Sequence, residues 1–368
     1  MKRELIRRWA TVAAVVALLC AMPVLAAALP ASVPKLTADQ LRIRILASAG
    51  LSYAGYAESD ATFGLPSLPG LADVTSLLDG VTKTRVWQAS PDRWRVDVLS
   101  DTGERDTYQL GSSSYIWDSG EELLTEVVGQ PSLRLPRASD LVPPALAIRL
   151  LDEAGLHARF SVIPPLRVAG SSAAGLQMTP IDPASTIARI DIWAEPGTGL
   201  PLMVEIFGRG SSVPALESQF FQVGSWRPDA AVLTPERGPG TGFTTTSARS
   251  LSGELNNLAT ANLPGRLAGR DRVPEPPAFD DVGVYGGGLS TFAVLGIRGD
   301  SDLVGDALSA GGAALNLPNG TAALISAPLV NAVIVHPAGS YVTYLIAGTI
   351  SASVLEQSAA ALSQDSYP

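Results

Sequence analysis

Thiols and imidazoles are almost missing from this sequence. Cys20 is the only cysteine and sits inside an N-terminal apolar stretch, so the rest of the chain offers neither a disulfide nor a thiolate nucleophile. Leu19, just before it, is not the small residue a lipoprotein signal requires, and Cys20 reads as an apolar helix position. The two histidines, His157 and His336, have no Cys or second His within ligand spacing, which excludes a nitrogen-and-sulfur metal site. No G-x-S-x-G elbow occurs, and "GSSSY" and "GRGSS" read as turns. The glycine-rich "YGGGLS" at 285–290 precedes a strand rather than a helix and so lacks the geometry of a phosphate cradle. Acidic pairs such as Glu121-Glu122 and Asp280-Asp281 read as solvated. Glu104 and Asp106 share a strand face but are expected to be exposed, with no cleft around them. Asn319-Gly320-Thr321 fits a glycosylation sequon and also the favoured Asn-Gly turn, and we read it as a turn. The sequence therefore predicts no catalytic residue, no metal and no cofactor, and a protein that is not an enzyme.

Aromatic residues are also scarce, at 6%, so a cluster of them is informative. What is abundant is apolar: 46% against 17% charged, a globular composition rather than a disordered one. A length of 368 residues exceeds what one core usually supports, which predicts two domains.

The N-terminus reads as an export signal. Lys2, Arg3, Arg7 and Arg8 precede an apolar run from Trp9 to Leu29 that ends in small residues, "VLAAALPAS". Cleavage near Ala26 or Ala28 and retention as a membrane anchor both fit. Either way the positive-inside rule places the chain after residue 30 outside the cytoplasm. The first 28 residues carry four positive charges and one negative. The remainder is therefore at −12 where the whole chain is at −9. An acidic exported body is a poor polyanion binder, so no nucleic-acid partner is expected.

"TADQLRIRILASAG" opens the exported part as a helix, with Thr37 and Gln40 as a capping box. "LSYAGYAESDATFG" reads as a strand, and a short helix is expected between Pro69 and Gly80. Strands near 81–89, 92–99, 105–110, 113–118 and 122–128, separated by turn residues, form an antiparallel meander. A helix from Pro143 or Pro144 to Glu153 follows, with proline in its first turn. Further strands are expected at 157–163, 166–169, 175–180, 187–194, 201–208 and 215–223. From Thr234 to about Val282 the text turns rich in Gly, Pro, Thr and Ser, as linkers are. A second unit then shows strands in "LSTFAVLGI", "TAALISA", "LVNAVIVH" and "YVTYLIAG". Its helices are "DSDLVGDALSAGGA" and "SASVLEQSAAALSQ", the latter with Ser353 and Glu356 as a capping box. The expected division is a leader at 1–30, a first domain at 31–234, a linker at 235–282 and a small α+β domain at 283–368.

The aromatic cluster lies in "RVWQASPDRWRVDVL", residues 85–99. Trp94, Val96 and Val98 alternate with Arg93, Arg95 and Asp97, so one strand face is bulky and apolar and the other is charged. Such a sheet covers an ordinary core, forms a nucleic-acid platform, or walls an apolar cavity. The charge argument disfavours the second.

The run "TRVWQASPDRWRVDVLSDTGERDTYQLGSSSYIWDSGEELLTEV" resembles the first sheet of the LolA/RseB (MucB) family, and "IDIWAEPGTGLPLMVEIF" resembles that family's acidic-x-x-T-G-L-P hairpin. "VYGGGLSTFAVLGI" and "GSYVTYLIAGTISASVLEQSAAAL" resemble the opening strand and the closing strand and helix of the RseB C-terminal domain. The resemblance implies an α+β fold. Its main part is a LolA-like curved antiparallel half-barrel, unclosed, with helices in an apolar hollow. A small C-terminal α+β domain of the RseB kind follows. In LolA the hollow takes lipoprotein acyl chains; RseB is an envelope-stress sensor that holds an anti-sigma factor. Ser90 stands where the carrier has a basic residue before the turn proline, and Leu110-Gly111 stands for its D-G, which favours the RseB-like role.

The resemblance thus implies a periplasmic, non-catalytic sensor or regulator. It would bind acyl chains of lipids or lipoproteins and a membrane protein such as an anti-sigma factor. The alternative is a LolA-like lipoprotein or lipid carrier. Candidate residues of the hollow are Trp87, Trp94, Val96, Trp117, Ile192, Val204 and Ile206, each of which could instead be plain core.

Overall fold

The computed structural model describes residues 31–64, 76–100, 103–129, 136–236, 238, 240–247, 263–274, 282–298 and 302–364. The leader, and most of the short helix expected after Pro69, lie outside the described residues. The last turn of that helix, 76–78, is helical and runs straight into a strand.

Alternating sequence dictates a large sheet. Its strands are β1 (Tyr53–Thr62), β2 (Asp79–Ser90), β3 (Arg93–Ser100), β4 (Gly103–Leu110), β5 (Ser113–Asp118), β6 (Leu123–Val128), β7 (Ala158–Val168), β8 (Ser171–Pro180), β9 (Ile187–Ala194), β10 (Pro201–Gly208), β11 (Leu216–Gly224) and β12 (Gly242–Ser247). The spatial order is β12-β6-β5-β4-β3-β2-β1-β11-β10-β9-β8-β7, antiparallel from β6 through to β7. Two meanders, β2 to β6 and β7 to β11, are joined where β1 pairs with both β2 and β11.

Two elements of the first sheet differ from expectation. Residues 158–168 form one strand, not two, with an irregularity between Ile163 and Leu166 at Pro164-Pro165. Proline lacks the N–H a ladder needs, and β7 tolerates the pair because it is an edge strand. Within the stretch expected as a linker, the Thr-rich residues of β12 pair in parallel with β6 and extend the sheet.

Helix α1 (Ala38–Ala47) starts at its expected capping box. The Gln40 N–H donates to Thr37 Oγ1 at 3.2 Å, and the Thr37 N–H donates to Gln40 Oε1 at 3.0 Å. Helix α2 (Pro143–Ala154) carries proline at its first positions, where no intrahelical N–H is needed. Leu146, Ala147, Leu150, Leu151 and Ala154 of α2 join Leu41 and Ile45 of α1 against Ile190, Ile192, Val204 and Ile206. Each fully buried Leu or Ile contributes about 1.5–3 kcal/mol, so this contact anchors both helices to the sheet.

A second sheet has the order β15-β16-β20-β19-β18-β17. Its strands are β15 (Val282–Gly287), β16 (Ser290–Arg298), β17 (Ala313–Leu315), β18 (Thr321–Ser326), β19 (Asn331–His336) and β20 (Val342–Gly348); the short pair β13 (Arg266–Leu267) and β14 (Arg270–Asp271) precedes it. The run "NAVIVH" is apolar without alternation because both faces are covered. Val333 and Val335 pack with Leu355, Ala359 and Leu362 of α4 (Ala352–Gln364), while Ile334 packs with Val304 and Ala307 of α3 (Asp302–Ser309). The expected cap of α4 is displaced by two residues: the Leu355 N–H bonds to Ser351 O, and Ser353 lies in the first turn. Asn319-Gly320 makes a bend, and the Asn319 side-chain amide donates to Ser363 O at 2.7 Å near the end of α4.

The two sheets meet at the 182–186 loop. The Thr186 N–H donates to Thr349 O, the Ser351 N–H to Ala184 O, and the Ser185 hydroxyl to Leu289 O. Asp182 pairs with Arg270. Gly288 has φ +60, and a Cβ there would lie 2.6 Å from His157 Cβ, so only glycine allows this approach.

On the outer face of the first sheet, Asp60, Glu217, Glu205 and Asp191 stand opposite one another on four successive strands. Arg189 and Gln177 satisfy Asp191. Burial, then Glu217 and Asp191, push the Glu205 carboxyl up to about 7, with Arg189 opposing. A carboxyl whose folded pKa is raised binds its proton more tightly folded than unfolded, so stability falls as pH rises from the ordinary glutamate range through about 7. Glu205→Gln is therefore expected to raise the thermal midpoint at pH 8, and the gain should vanish near pH 4. Thermal unfolding across that range checks it; an equal gain at both ends would show that charge is not the cause.

Candidate functional site

Cross-strand register assigns every residue of β2 to β5 to one of two faces. Trp94 stands opposite Gln88 and Gln109, and Val96 opposite Val86 and Thr107, on the face that carries the helices. Trp87 stands opposite Arg95, and Trp117 opposite Asp106, on the other face. The three indoles proposed for one hollow are thus divided. Trp94 and Val96 share the inner face, while Trp87 and Trp117 belong to the outer one.

The inner face holds a cavity of about 430 Å³ between sheet and helix α2. Tyr53, Val86, Trp94 and Val96 line it from the sheet. Val142, Pro144 and Ile148 face them from α2 and its N-terminal flank. Asp140, Arg149, Asp152 and Glu153 lie at its rim. A second space of about 880 Å³ continues past Trp94 along β4 and β5, with Gln109, Ser114, Val128 and Arg137 in its wall. Trp94 belongs to both. The back of the first cavity is fixed by hydrogen bonds: the Gln88 side-chain amide donates to Ala49 O and Leu51 O, and the Tyr53 hydroxyl donates to Gln88 Oε1 at 3.3 Å. Phe220 packs edge-on against Tyr53 at 5.9 Å.

Ile192, Val204 and Ile206 share this face but lie under α2 in the main core, at 0%, 0% and 5% exposure. The helix covers that part of the sheet and leaves the Trp94 part partly uncovered.

The outer face is not an exposed charged surface. Asp97 and Asp106 are 0% and 3% exposed, which corrects the expectation that Asp106 lies in solvent. Arg95 organises them. Its Nε donates to Asp97 Oδ1 at 2.5 Å and its Nη2 to Asp106 Oδ2 at 2.8 Å. Its guanidinium lies over the rings of Trp87 and Tyr108, at 5.1 and 4.9 Å. Nη1 reaches Val232 O at 3.4 Å, so the segment after β11 closes over the cluster. A cavity of about 420 Å³ remains there, lined by Trp117, Leu124 and residues 231–236. Burial pushes both Asp97 and Asp106 upward, and Arg95 opposes it. The antiparallel register of β3 and β4 aligns Asp97 with Asp106 and Arg95 with Tyr108. That pairing follows from the "SDTG" turn and was the available sequence signal.

His157 is exposed beside Gly287 and Gly288, and His336 Nδ1 lies 3.0 Å from Thr343 Oγ1. Among the described residues no helix is long and apolar enough to cross a membrane.

A chain of the Pseudomonas aeruginosa MucA/MucB complex matches this architecture with a TM-score of 0.50, at 17% identity, over 88% of this chain and 96% of that one. The chain has the LolA/RseB-like fold. A second structure, MucB in complex with MucA(peri), matches at 0.49, with 17% identity over 88% of this chain and 97% of that one. A LolA superfamily protein from Nitrosomonas europaea matches at 0.24, with 12% identity over 55% of this chain and 99% of that one. No family model and no curated protein matches the sequence.

The Arg95 cluster yields a direct test. Arg95→Ala leaves two buried carboxylates uncompensated and is expected to cost about 3–5 kcal/mol of stability. Urea denaturation of the variant measures this. A loss below about 1 kcal/mol, the value of a surface pair, would show that the cluster is solvated in solution.

Proposed function

We propose that this is a non-catalytic, extracytoplasmic sensor or regulator that takes an acyl chain of a lipid or lipoprotein into the Trp94 hollow and engages a membrane protein partner. The carrying observation is the hollow itself: Tyr53, Val86, Trp94 and Val96 opposite Val142 and Ile148, with the Gln88 amide at the back already hydrogen-bonded to Ala49 O and Leu51 O. Each methylene withdrawn from water contributes about 0.8 kcal/mol, so a chain of modest length binds such a space without any charged contact. Trp94, Val96 and their cavity neighbours form the ligand-binding set. Ile192, Val204 and Ile206 support it as core, and Trp87 and Trp117 back it from the outer face.

A protein partner is proposed because the matched Pseudomonas chain is named as a MucA/MucB complex. An anti-sigma factor or another membrane protein is the class meant. The second sheet docked at residues 182–186 favours a regulator over a simple carrier, because it adds a surface that acyl transport does not need. The leader would supply export, either cleaved or retained as an anchor. We further propose that residues 31–234 and 283–368 are separate domains. Limited proteolysis should then cut first between Pro235 and Asp281 and leave a fragment of roughly 200 residues, ordinary for a domain. Resistance of the whole bridge would mean a single folding unit.

Trp94→Ala separates ligand wall from core. As ligand wall, it should weaken binding of a fluorescent fatty acid at least tenfold with little change in the urea midpoint. As core, it should cost about 3–5 kcal/mol of stability through a void, with binding by the folded fraction unchanged. Native mass spectrometry of protein purified from its own envelope would show bound lipid directly. Absence of lipid together with unchanged fatty-acid binding by Trp94→Ala would defeat the acyl-chain reading.

A further inference from the structure

The cluster on the outer face is over-supplied with negative charge. Arg95 contacts all three of Asp97, Asp106 and Glu104, at 2.5, 2.8 and 3.8 Å. It satisfies one oxygen of each aspartate and leaves the other. Asp97 Oδ2 and Asp106 Oδ1 have no hydrogen-bond partner, although their side chains are only 1% and 5% exposed. An orphaned buried carboxylate oxygen costs several kcal/mol unless a proton or cation completes it. One carboxylate oxygen from each of Asp97, Glu104 and Asp106 lies within 4.8 Å of the other two.

We propose that Asp97, Asp106 and Glu104 hold a divalent cation of the calcium class, with Arg95 fixing the two aspartates from the opposite side. The donor set is all oxygen, which suits a hard cation rather than zinc or copper. Two oxygens on opposite sides of Ca²⁺ stand about 4.6–5.2 Å apart, twice the usual Ca–O distance; around Mg²⁺ the span is only about 4.0–4.2 Å. The three oxygens stand no more than 4.8 Å apart, which lies within the span of the larger ion. Glu104, 39% exposed, is the open side, and the neighbouring cavity under residues 231–236 leaves room for the waters that complete the shell. Three carboxylates less one guanidinium leave a charge of −2, which one such ion neutralises. The affinity expected of so few protein ligands is about 10⁻⁴–10⁻³ M, the range of extracellular calcium modules. This site lies on the opposite face of β3 from the Trp94 hollow and does not depend on the acyl-chain reading.

Trp117, opposite Asp106, supplies an optical probe. The full chain, stripped with chelator, is titrated with Tb³⁺ while indole-sensitised emission is recorded, and Ca²⁺ or Mg²⁺ is then added in competition. The expected result is one ion per chain, displaced at least tenfold more readily by Ca²⁺ than by Mg²⁺. Asp106→Asn and Glu104→Gln should each weaken Tb³⁺ binding tenfold or more. Should Asp106→Asn fail to fold, Glu104→Gln at the open rim still decides the matter. No sensitised emission, or emission that Glu104→Gln leaves unchanged, overturns the site. A thermal midpoint that rises on acidification but not with millimolar Ca²⁺ overturns it as well, and identifies a shared proton as the missing partner.

Discussion

Everything in the first sheet depends on the pairing of β1 with two partners at once. Residues 54–61 bond to β11 on one side and residues 53–62 to β2 on the other. Two meanders that are distant in sequence thereby become one sheet with one inner face. That face is wider than the described helices α1 and α2 cover. Helix α1 packs over β7 and β8 and α2 over β10 and β11, and beneath them Ile190, Ile192, Val204 and Ile206 become core. Toward β3 the cover thins, and the same row of apolar positions opens into the hollow around Trp94 and Val96. Hollow and core are one surface under unequal cover. The Ser218 hydroxyl on β11 reinforces the boundary by bonding Leu141 O at the start of α2.

Composition alone could not divide that surface. Strand period placed Trp94, Val96, Ile192, Val204 and Ile206 on apolar faces, and this was legible because each stands next to a charged residue, Arg95, Asp97, Asp191 or Glu205. Which of them a helix covers depends on contacts between residues far apart in sequence. The helix boundaries were legible for a local reason: Thr37 with Gln40, and Pro143 with Pro144, are short-range signals. The cap of α4 was misplaced because Ser351 and Ser353 offer the same chemistry, and only the backbone bond from Leu355 chooses between them. The extension of the sheet by β12 was hidden because threonine and glycine read equally as linker text until β6 offers an edge.

The indoles show a different failure. Trp87, Trp94 and Trp117 look alike in composition, but residues 87 and 94 lie on paired strands whose register puts them on opposite faces. A register can be counted from a tight turn. Pairing Ser100 with Gly103 sets Asp97 against Asp106 and Arg95 against Tyr108, so the charged cluster was available from sequence. What the count could not supply is burial: the segment at 231–236 that covers the cluster follows a strand more than a hundred residues away.

Strand β3 joins these two worlds, because alternate residues of one short segment serve the hollow and the charged cluster. Stability is not the cluster's evident contribution, since apolar residues of similar volume often replace buried ion pairs without loss. Its contribution is register. A slip of one residue would carry Arg95 and Asp97 into the hollow and turn Trp94 and Val96 toward Trp87 and Tyr108. Moving Arg95 inward strips it of Asp97, Asp106 and two aromatic rings together, whereas an apolar face slipped against an apolar face loses little. The charged side of β3 therefore keeps the apolar side of β3 in place, and the shape of the hollow rests on residues that never touch it.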